Sequence, residues 1–351
     1  MSAMPSDPLD QRSRQVLFAV IAEFVQTAEP VGSRAVARRH IRGLSPATIR
    51  NAMADLEDLG FLNQPHTSAG RVPTDKAYRF YVDHLQDIAW KRADPALRME
   101  PLGAQGDATE RVMAEAPARL SIQTHMTSML LSPPLKQTAL DRIELAALGD
   151  ERALAIVVTE TGWVTARPMS VPPRLGTEEL REIGRTLTRR HRGRNFQDII
   201  DDLTAPADPL EPLWTRNRAL LDQIVALLRD RTLYVSGATR ILDHPDLSEV
   251  ATARTLLRAF EDKQQLIELL SRMAEQPGVQ VMIGRENPLL EMQECSLITS
   301  TYRYRDQALG VLGVLGPRRM AYSDIIELVD ESARTVSSLL SRVKHQLYLP
   351  S

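Results

Sequence analysis

A well-defined helix start at Leu44-Ser45-Pro46-Ala47-Thr48 constrains the fold of this chain more than any other feature. Ser45 can accept a hydrogen bond from the unpaired N–H groups of a first helical turn, and Pro46 suits the first helical position, which needs no N–H donor. Apolar residues then recur every three or four positions, which predicts a helix from Pro46 to about Leu59. The apolar side of this helix must pack against neighbouring elements.

The flanking segments supply such elements. Apolar pairs recur every four residues before this helix, and the polar stretch after Gly60 separates two short apolar runs, which is typical of a β-hairpin. The predicted elements are helices from Arg12 to Thr27, from Arg34 to His40 and from Pro46 to Leu59, a hairpin over residues 61–73, and a helix from Thr74 to about Trp90. Helices followed by a hairpin predict a winged helix-turn-helix over residues 11–92, after a disordered tail over residues 1–10.

The third helix has an outward face suited to reading DNA. At 100° per residue its apolar side chains fall on one side, and Arg50, Asn51 and Ala54 fall on the other. Arginine can donate two hydrogen bonds to guanine and asparagine can pair with adenine, each worth about 1–3 kcal/mol of discrimination. The face turns acidic towards its C-terminal end, where phosphate would be repelled. The predicted base-contacting residues are Ala47, Thr48, Arg50 and Asn51.

Basic and polar residues surround this helix. Those predicted to contact the DNA backbone, some of them from the wing, are Arg34, Arg38, Arg39, Arg42, Ser45, His66, Thr67, Ser68 and Arg71. A run of arginines can also be only a solvated face, Asn51 can face water, and His66 can be an inert loop residue. The position of the arginines beside a capped helix and a hairpin favours contact with phosphate.

Charge is distributed unevenly along the chain. Residues 11–92 contain twelve Lys or Arg and eight Asp or Glu, a balance of +4, whereas the whole chain carries -2. A basic head on an acidic body fits nucleic-acid binding. The single cysteine, Cys295, excludes an internal disulfide and thiolate-rich zinc sites. Without an apolar run of about 18 residues or a signal peptide, we expect a cytoplasmic protein with no membrane contact, metal or cofactor.

Beyond residue 92 the pattern predicts an α+β multidomain chain. Residues 93–108 are rich in Pro, Gly and Ala and are predicted to be a linker. A helix is expected after it to about Leu131, and one long helix from Leu247 to Met273. The other predictions are strands at 143–148, 153–159, 163–171, 233–235, 279–283, 295–304 and 308–315, a mostly helical stretch at 176–231, and a final helix from Asp324 to about Leu347.

Several segments match the pattern of a known family. They include Leu44-Ser45-Pro46-Ala47-Thr48-Ile49-Arg50-Asn51 and Gly313-Val314-Leu315-Gly316-Pro317-Arg318-Arg319-Met320-Ala321-Tyr322. The others are residues 29–34, 53–57, 64–71, 73–81, 159–162, 233–237 and 283–288. In these segments the chain resembles the HrcA family, the heat-inducible repressors of bacteria.

This resemblance implies a GAF-like α/β body interrupted by an inserted dimerising segment. With the insertion placed at residues 172–244, the GAF-like domain is expected in two parts, residues 109–171 and 245–348. The resemblance also implies a homodimer that binds double-stranded DNA at an inverted-repeat operator, called CIRCE, ahead of chaperone operons. It further implies dependence on the GroE chaperonin to keep the repressor active.

Three other functions remain open. A GAF-like body could hold a small molecule, which would make the chain a ligand-sensing transcription regulator. An enzyme is disfavoured, because metalloprotease, hydrolase and phosphate-loop motifs are missing from the sequence. A winged helix that binds another protein instead of DNA is the third.

Overall fold

The head of the protein contains the helices and the hairpin expected from the sequence. The structure is a computed structural model that describes residues 8–66, 69–86, 108–133, 139–160, 164–205, 217–304 and 307–347. In the head it has helices α1 (Gln11–Thr27), α2 (Ser33–Arg39), α3 (Pro46–Asp58) and α4 (Asp75–Gln86), with a hairpin of β1 (Leu62–Asn63) and β2 (Val72–Pro73) between α3 and α4. The predicted elements of the head are therefore confirmed as far as Gln86. Residues 87–107 lie outside the described residues, and with them the predicted end of the fourth helix near Trp90 and most of the predicted linker.

The end of the predicted disordered tail belongs to the head. Asp10 caps α1 by accepting a hydrogen bond from the Ser13 backbone N–H at 2.7 Å. Leu9 is only 5% exposed, because it packs into the core of the head. The prediction of disorder is thus wrong for these residues, and residues 1–7 lie outside the described part of the chain.

The body is built around a five-stranded antiparallel sheet with helices on both faces. Its strands are β3 (Thr127–Leu131), β7 (Leu233–Ser236), β8 (Val279–Ile283), β9 (Cys295–Tyr304) and β10 (Gln307–Pro317), in the order β7-β3-β10-β9-β8. The helices are α5 (Ala108–Thr124) and α11 (Tyr322–Leu347) on one face, and α9 (Val250–Glu261) and α10 (Lys263–Ala274) on the other. Successive strand residues face opposite sides of the sheet. Leu130 and Leu312 pack into the core on the side of α5 and α11, and Leu131 and Val311 pack into the core on the side of α9 and α10.

A separate unit is inserted between β3 and β7. It contains a three-stranded antiparallel sheet of β4 (Leu140–Gly149), β5 (Arg152–Thr159) and β6 (Val164–Ser170), and helices α6 (Thr177–His191), α7 (Phe196–Thr204) and α8 (Arg218–Arg229). Helix α6 packs directly on β4, where a Cβ at Gly184 would lie 3.1 Å from the Ile143 carbonyl oxygen. We call residues 139–231 the inserted unit.

The predicted limits of the insertion, residues 172–244, are wrong at both ends. Strands β4 to β6 were expected in the GAF-like part at residues 109–171, yet they pair only with one another. Strand β7 was expected inside the insertion, yet it pairs with β3 in the main sheet. Strand pairing is a long-range property that the local pattern does not specify.

Two predicted helices are also wrong. The helix expected to reach Leu131 ends at Thr124, because His125 adopts a positive φ of 55° and the chain then enters the buried strand β3. The helix expected from Leu247 to Met273 is two helices. Asp262 separates them, and its side chain caps α10 by accepting from the Gln265 N–H at 3.3 Å.

Candidate nucleic-acid interface

Helix α3 begins as the sequence predicts. Ser45 Oγ accepts a hydrogen bond from the Thr48 backbone N–H at 3.1 Å, and Pro46 occupies the first turn. The inward side chains Ile49, Ala52, Met53 and Leu56 are at most 6% exposed and pack α3 onto α1 and α2. This packing fixes which side of α3 faces away from the head.

The outward face of α3 presents the residues predicted to read bases. Ala47, Arg50 and Asn51 are exposed. Thr48 is half-buried, and its Oγ1 lies 2.9 Å from Ser45 Oγ, so its hydroxyl group belongs to the cap. Arg50 and Asn51 therefore carry the hydrogen-bond donors that the N-terminal half of this face offers to a partner.

The arginines predicted to contact the DNA backbone fall into two groups. Arg34, Arg38 and Arg42 are exposed and form no ion pair with any residue in the described part of the chain. Arg39 and Arg71 each contact a carboxylate of the head. Of the two groups, the first is the one whose guanidinium groups have no ion-pair partner among the described residues.

The partner of Arg39 is Glu23, a buried carboxylate that the sequence analysis did not single out. The Glu23 side chain is 5% exposed, and its two oxygens contact Arg39 and His40, the latter at 2.8 Å from Nε2. Glu23 lies on α1 and its partners lie at the end of α2, so the cluster joins the two helices. The sequence did indicate that Glu23 would be buried, because Glu23 lies on the same side of the helix as the buried Val16 and Val20.

Arg71 connects the wing to α3. Its Nε lies 2.7 Å from Glu57 Oε2, and its side chain is only 20% exposed. Glu57 belongs to the acidic C-terminal end of α3, which was expected to repel phosphate, but pairing with Arg71 offsets its charge. The structure thus places Arg71 against α3, whereas the sequence predicts a contact between Arg71 and phosphate.

The base of the wing is fixed by close backbone packing. Val31 and Arg71 exchange two backbone hydrogen bonds of 2.9 Å each. A Cβ at Gly70 would lie 2.5 Å from the carbonyl carbon and oxygen of Val31, so this position accepts only glycine without a backbone shift. His66 is exposed near the tip, and the predicted wing residues Thr67 and Ser68 lie outside the described residues.

Other functional classes would need a reactive thiol, a metal site or a membrane-spanning helix. Cys295 is buried, and its burial raises the pKa of the thiol to about 12, which makes it a poor nucleophile at neutral pH. In the described ranges there is no group of three His, Cys, Asp or Glu side chains that could hold a metal ion. No helix in the same ranges is long and apolar enough to cross a membrane.

The chain is similar to named relatives along nearly its whole length. The family model for the HrcA protein C-terminal domain matches residues 110–326. A protein of Geobacter sulfurreducens named heat-inducible transcription repressor HrcA is 40% identical over 349 residues, which cover 95% of this chain and 98% of that protein. A protein of the same name from Desulforamulus reducens is 34% identical over 351 residues, again covering 95% of this chain and 98% of the relative.

The fold also matches a solved structure. A crystal structure of a hypothetical protein at 2.2 Å resolution superposes with a TM-score of 0.66 and 24% sequence identity. The match covers 95% of this chain and 99% of the other. The fold of this chain is therefore one that an experimental structure shares.

Proposed function

The chain belongs to the HrcA family of heat-inducible transcription repressors, and from that premise we propose that its head is a winged helix-turn-helix that reads one half of an inverted-repeat operator. Membership of this family makes the protein a transcription regulator rather than an enzyme. The observation that carries the proposal is the exposure of Arg50 and Asn51 together on a capped helix whose opposite face is buried.

Each part of the head has a role in this proposal. The first turns of α3 enter the major groove, where Arg50 and Asn51 bind base edges and Ala47 and Thr48 allow close approach. Arg34, Arg38, Arg42 and the Ser45 end of α3 contact phosphates, and the wing contacts the backbone beside the groove. Arg39 and Arg71 hold the reading elements in place through Glu23 and Glu57.

The test of this reading surface is an Arg50→Ala variant. Binding of the purified protein to random duplex DNA, followed by sequencing of the retained pool, defines the operator. We expect Arg50→Ala to weaken binding to that operator by about 10- to 100-fold and to relax the preference at one base position. Arg185→Ala, a change at an exposed arginine of the inserted unit, is the control. Unchanged affinity of Arg50→Ala would show that α3 does not read bases through this residue.

We further propose that the protein is a dimer formed through the inserted unit. Helix α6 covers the sheet face that carries Ile143, Leu145 and Val157, which are at most 3% exposed. The opposite face is rich in apolar side chains and no helix in the described ranges packs on it. Two rows of neighbouring residues cross β4, β5 and β6 on this face, Ala146 with Leu154 and Pro168, and Glu144 with Ile156 and Ala166. Val164, which is 48% exposed, lies on the same face. A second copy of the chain would cover this face, and paired half-sites require such a two-fold partner.

A charge on this face tests the dimer. Ala166 is exposed on the edge strand β6, so Ala166→Arg should be tolerated by a single protomer but disfavoured at a self-associating surface. We expect sedimentation to show a dimer for the wild type and for Arg185→Glu, a charge change on the exposed side of α6, but a monomer for Ala166→Arg. A dimer in all three proteins would place the interface elsewhere.

The remaining parts of the proposal concern control of the repressor. The three-layer body supports a GAF-like domain, and family membership supports CIRCE as the operator, action in the bacterial cytoplasm and activation by the GroE chaperonin. We expect repressor refolded with GroE and ATP to contain a larger DNA-binding fraction than repressor refolded without them. If small metabolites, and not the chaperonin, change operator binding, the protein is instead a ligand-sensing regulator.

A further inference from the structure

Arg79 of α4 attaches the head to the body. Its Nε donates to Glu286 Oε1 at 2.8 Å, a second guanidinium nitrogen reaches the other oxygen of Glu286, and the same nitrogen donates to the Val281 carbonyl oxygen at 2.5 Å. Hydrogen bonding to Glu286 raises the pKa of Arg79 above its ordinary value. The two-pronged geometry fixes the direction as well as the distance of the contact.

Asp75, one turn earlier on α4, makes a second attachment. Its carboxylate accepts from Arg318 at 3.2 Å and from the Arg285 backbone N–H at 3.3 Å. Gly284 lies directly under this carboxylate, and a Cβ there would overlap it. The Asp75 carboxylate of the head therefore packs against Gly284 of the body at a distance that only a glycine allows.

Arg319 makes a third attachment, to a different helix of the head. It donates to the Val25 carbonyl oxygen of α1 at 2.9 Å, while its Nε donates to Asp246 of the body at 2.9 Å. Its side chain is only 15% exposed. The body thus holds α1 and α4, and α3 packs on α1.

An aromatic contact lies beneath these ion pairs. The rings of Tyr78 and Tyr322 are 5.6 Å apart, and both side chains are at most 2% exposed. The Tyr322 hydroxyl donates to the Arg318 carbonyl oxygen at 2.8 Å and lies 2.7 Å from Ser296 Oγ. Tyr322 is therefore anchored to the sheet of the body while its ring supports the head.

We propose that this head–body junction, formed by Asp75, Tyr78 and Arg79 with Glu286, Arg318, Arg319 and Tyr322, holds the recognition helices of a dimer at the separation that an inverted repeat requires. Three attachments to two helices resist both rotation and sliding of the head. The junction residues touch no base in this scheme and act as positioning residues. The inference rests on the proposed function, because it assumes two heads on one DNA.

The docked orientation leaves the reading surface open. Arg50, Asn51 and the free arginines Arg34, Arg38 and Arg42 remain exposed with the head held against the body. The junction therefore does not block DNA, and a preset orientation lowers the ordering cost of binding both half-sites at once. Breaking the junction should weaken binding to the full repeat and leave binding to one half-site unchanged.

The experiment compares Arg79→Gln, Glu286→Gln and the charge-exchanged double variant Arg79→Glu with Glu286→Arg, all as full-length protein. Arg181→Gln removes an exposed ion pair elsewhere and is the control. Each protein is titrated with the selected inverted repeat, with one isolated half-site, and with a repeat whose half-sites are moved apart by about 5 base pairs, half a helical turn.

We expect the single variants to bind the full repeat about 10-fold more weakly, with half-site affinity within about 2-fold of wild type. They should also lose much of the wild-type discrimination against the lengthened repeat, and the charge-exchanged variant should recover part of both. Unchanged ratios of full-site to half-site affinity, or tighter binding of the full repeat by the variants, would overturn the inference. If the wild type itself binds no inverted repeat, the proposed function fails first and the inference fails with it.

Discussion

At the scale of single residues, His191 is a buried titratable group in the inserted unit. It is 0% exposed on α6, its Nε2 lies 3.5 Å from Asp202, and its Nδ1 lies 3.4 Å from an Arg194 nitrogen. Burial lowers the pKa of His191 to about 4, against a smaller opposing effect of the Asp202 charge. The imidazole therefore stays neutral in the folded protein at pH values where an unfolded chain would protonate it.

This difference predicts an acid sensitivity. Because the unfolded state binds a proton near pH 6.5 and the folded state only near pH 4, stability falls as the pH drops between these values. We expect His191 to account for a loss of roughly 2 kcal/mol in the free energy of unfolding from pH 7 to pH 5. Urea unfolding followed by circular dichroism should show a shallower loss for His191→Gln than for wild type or His66→Gln, an exposed control. Equal losses in all three would assign the acid sensitivity to other groups.

At the scale of elements, the predicted helices and strands were confirmed where residues close together in the sequence determine them. The start of α3 could be predicted because Ser45 and Pro46 act within one turn, and the hairpin because Gly70 and the flanking apolar runs are adjacent in sequence. Strand β3 was missed because it is buried on both faces and shows no polar alternation. The break at Asp262 was missed because a single capping residue hardly disturbs the apolar spacing.

The candidate interface shows the same difference between features that depend on local sequence and features that depend on distant residues. Exposure of Arg50 and Asn51 follows from helical periodicity, so the sequence was sufficient. The partners of Arg39 and Arg71 lie 16 and 14 positions away along the chain, on other elements, and no local pattern links them. Sequence reasoning could find the basic residues but could not tell which of them the fold already pairs.

The Glu23 cluster gives a prediction at this scale. Glu23→Gln keeps the shape of the side chain but removes the charge that joins Arg39 and His40 to α1. We expect the head to lose about 2 kcal/mol of stability, since the hydrogen bonds that the buried Glu23 carboxylate forms with Arg39 and His40 lose the charge that strengthens them. Chemical unfolding should show little effect for the exposed control Glu29→Gln. A Glu23→Gln protein as stable as wild type would mean that the cluster holds α1 and α2 together only weakly.

At the scale of the whole molecule, the basic head predicts a steep dependence of DNA binding on salt. A dimer that uses Arg34, Arg38 and Arg42 of both heads would make at least six phosphate contacts, so the log–log slope of affinity against salt should be about -5 or steeper. Arg38→Ala removes one contact from each head and should make the slope shallower by about 2. Titrations between low and moderate salt measure both slopes. A slope near zero would remove these arginines from the interface.

The chain enters and leaves the inserted unit at two adjacent points. Strands β3 and β7 pair up to Leu131 and Leu233, and just beyond them the Ser132 N–H donates to the Thr232 carbonyl oxygen at 2.9 Å. In topological terms the whole inserted unit is therefore the loop of one β-hairpin. Excising it and closing Ser132 to Thr232 with a short turn would leave every strand of the main sheet with its neighbour. The dimerisation proposed here would then be a detachable module, separable by design from a single-copy reader of half an operator.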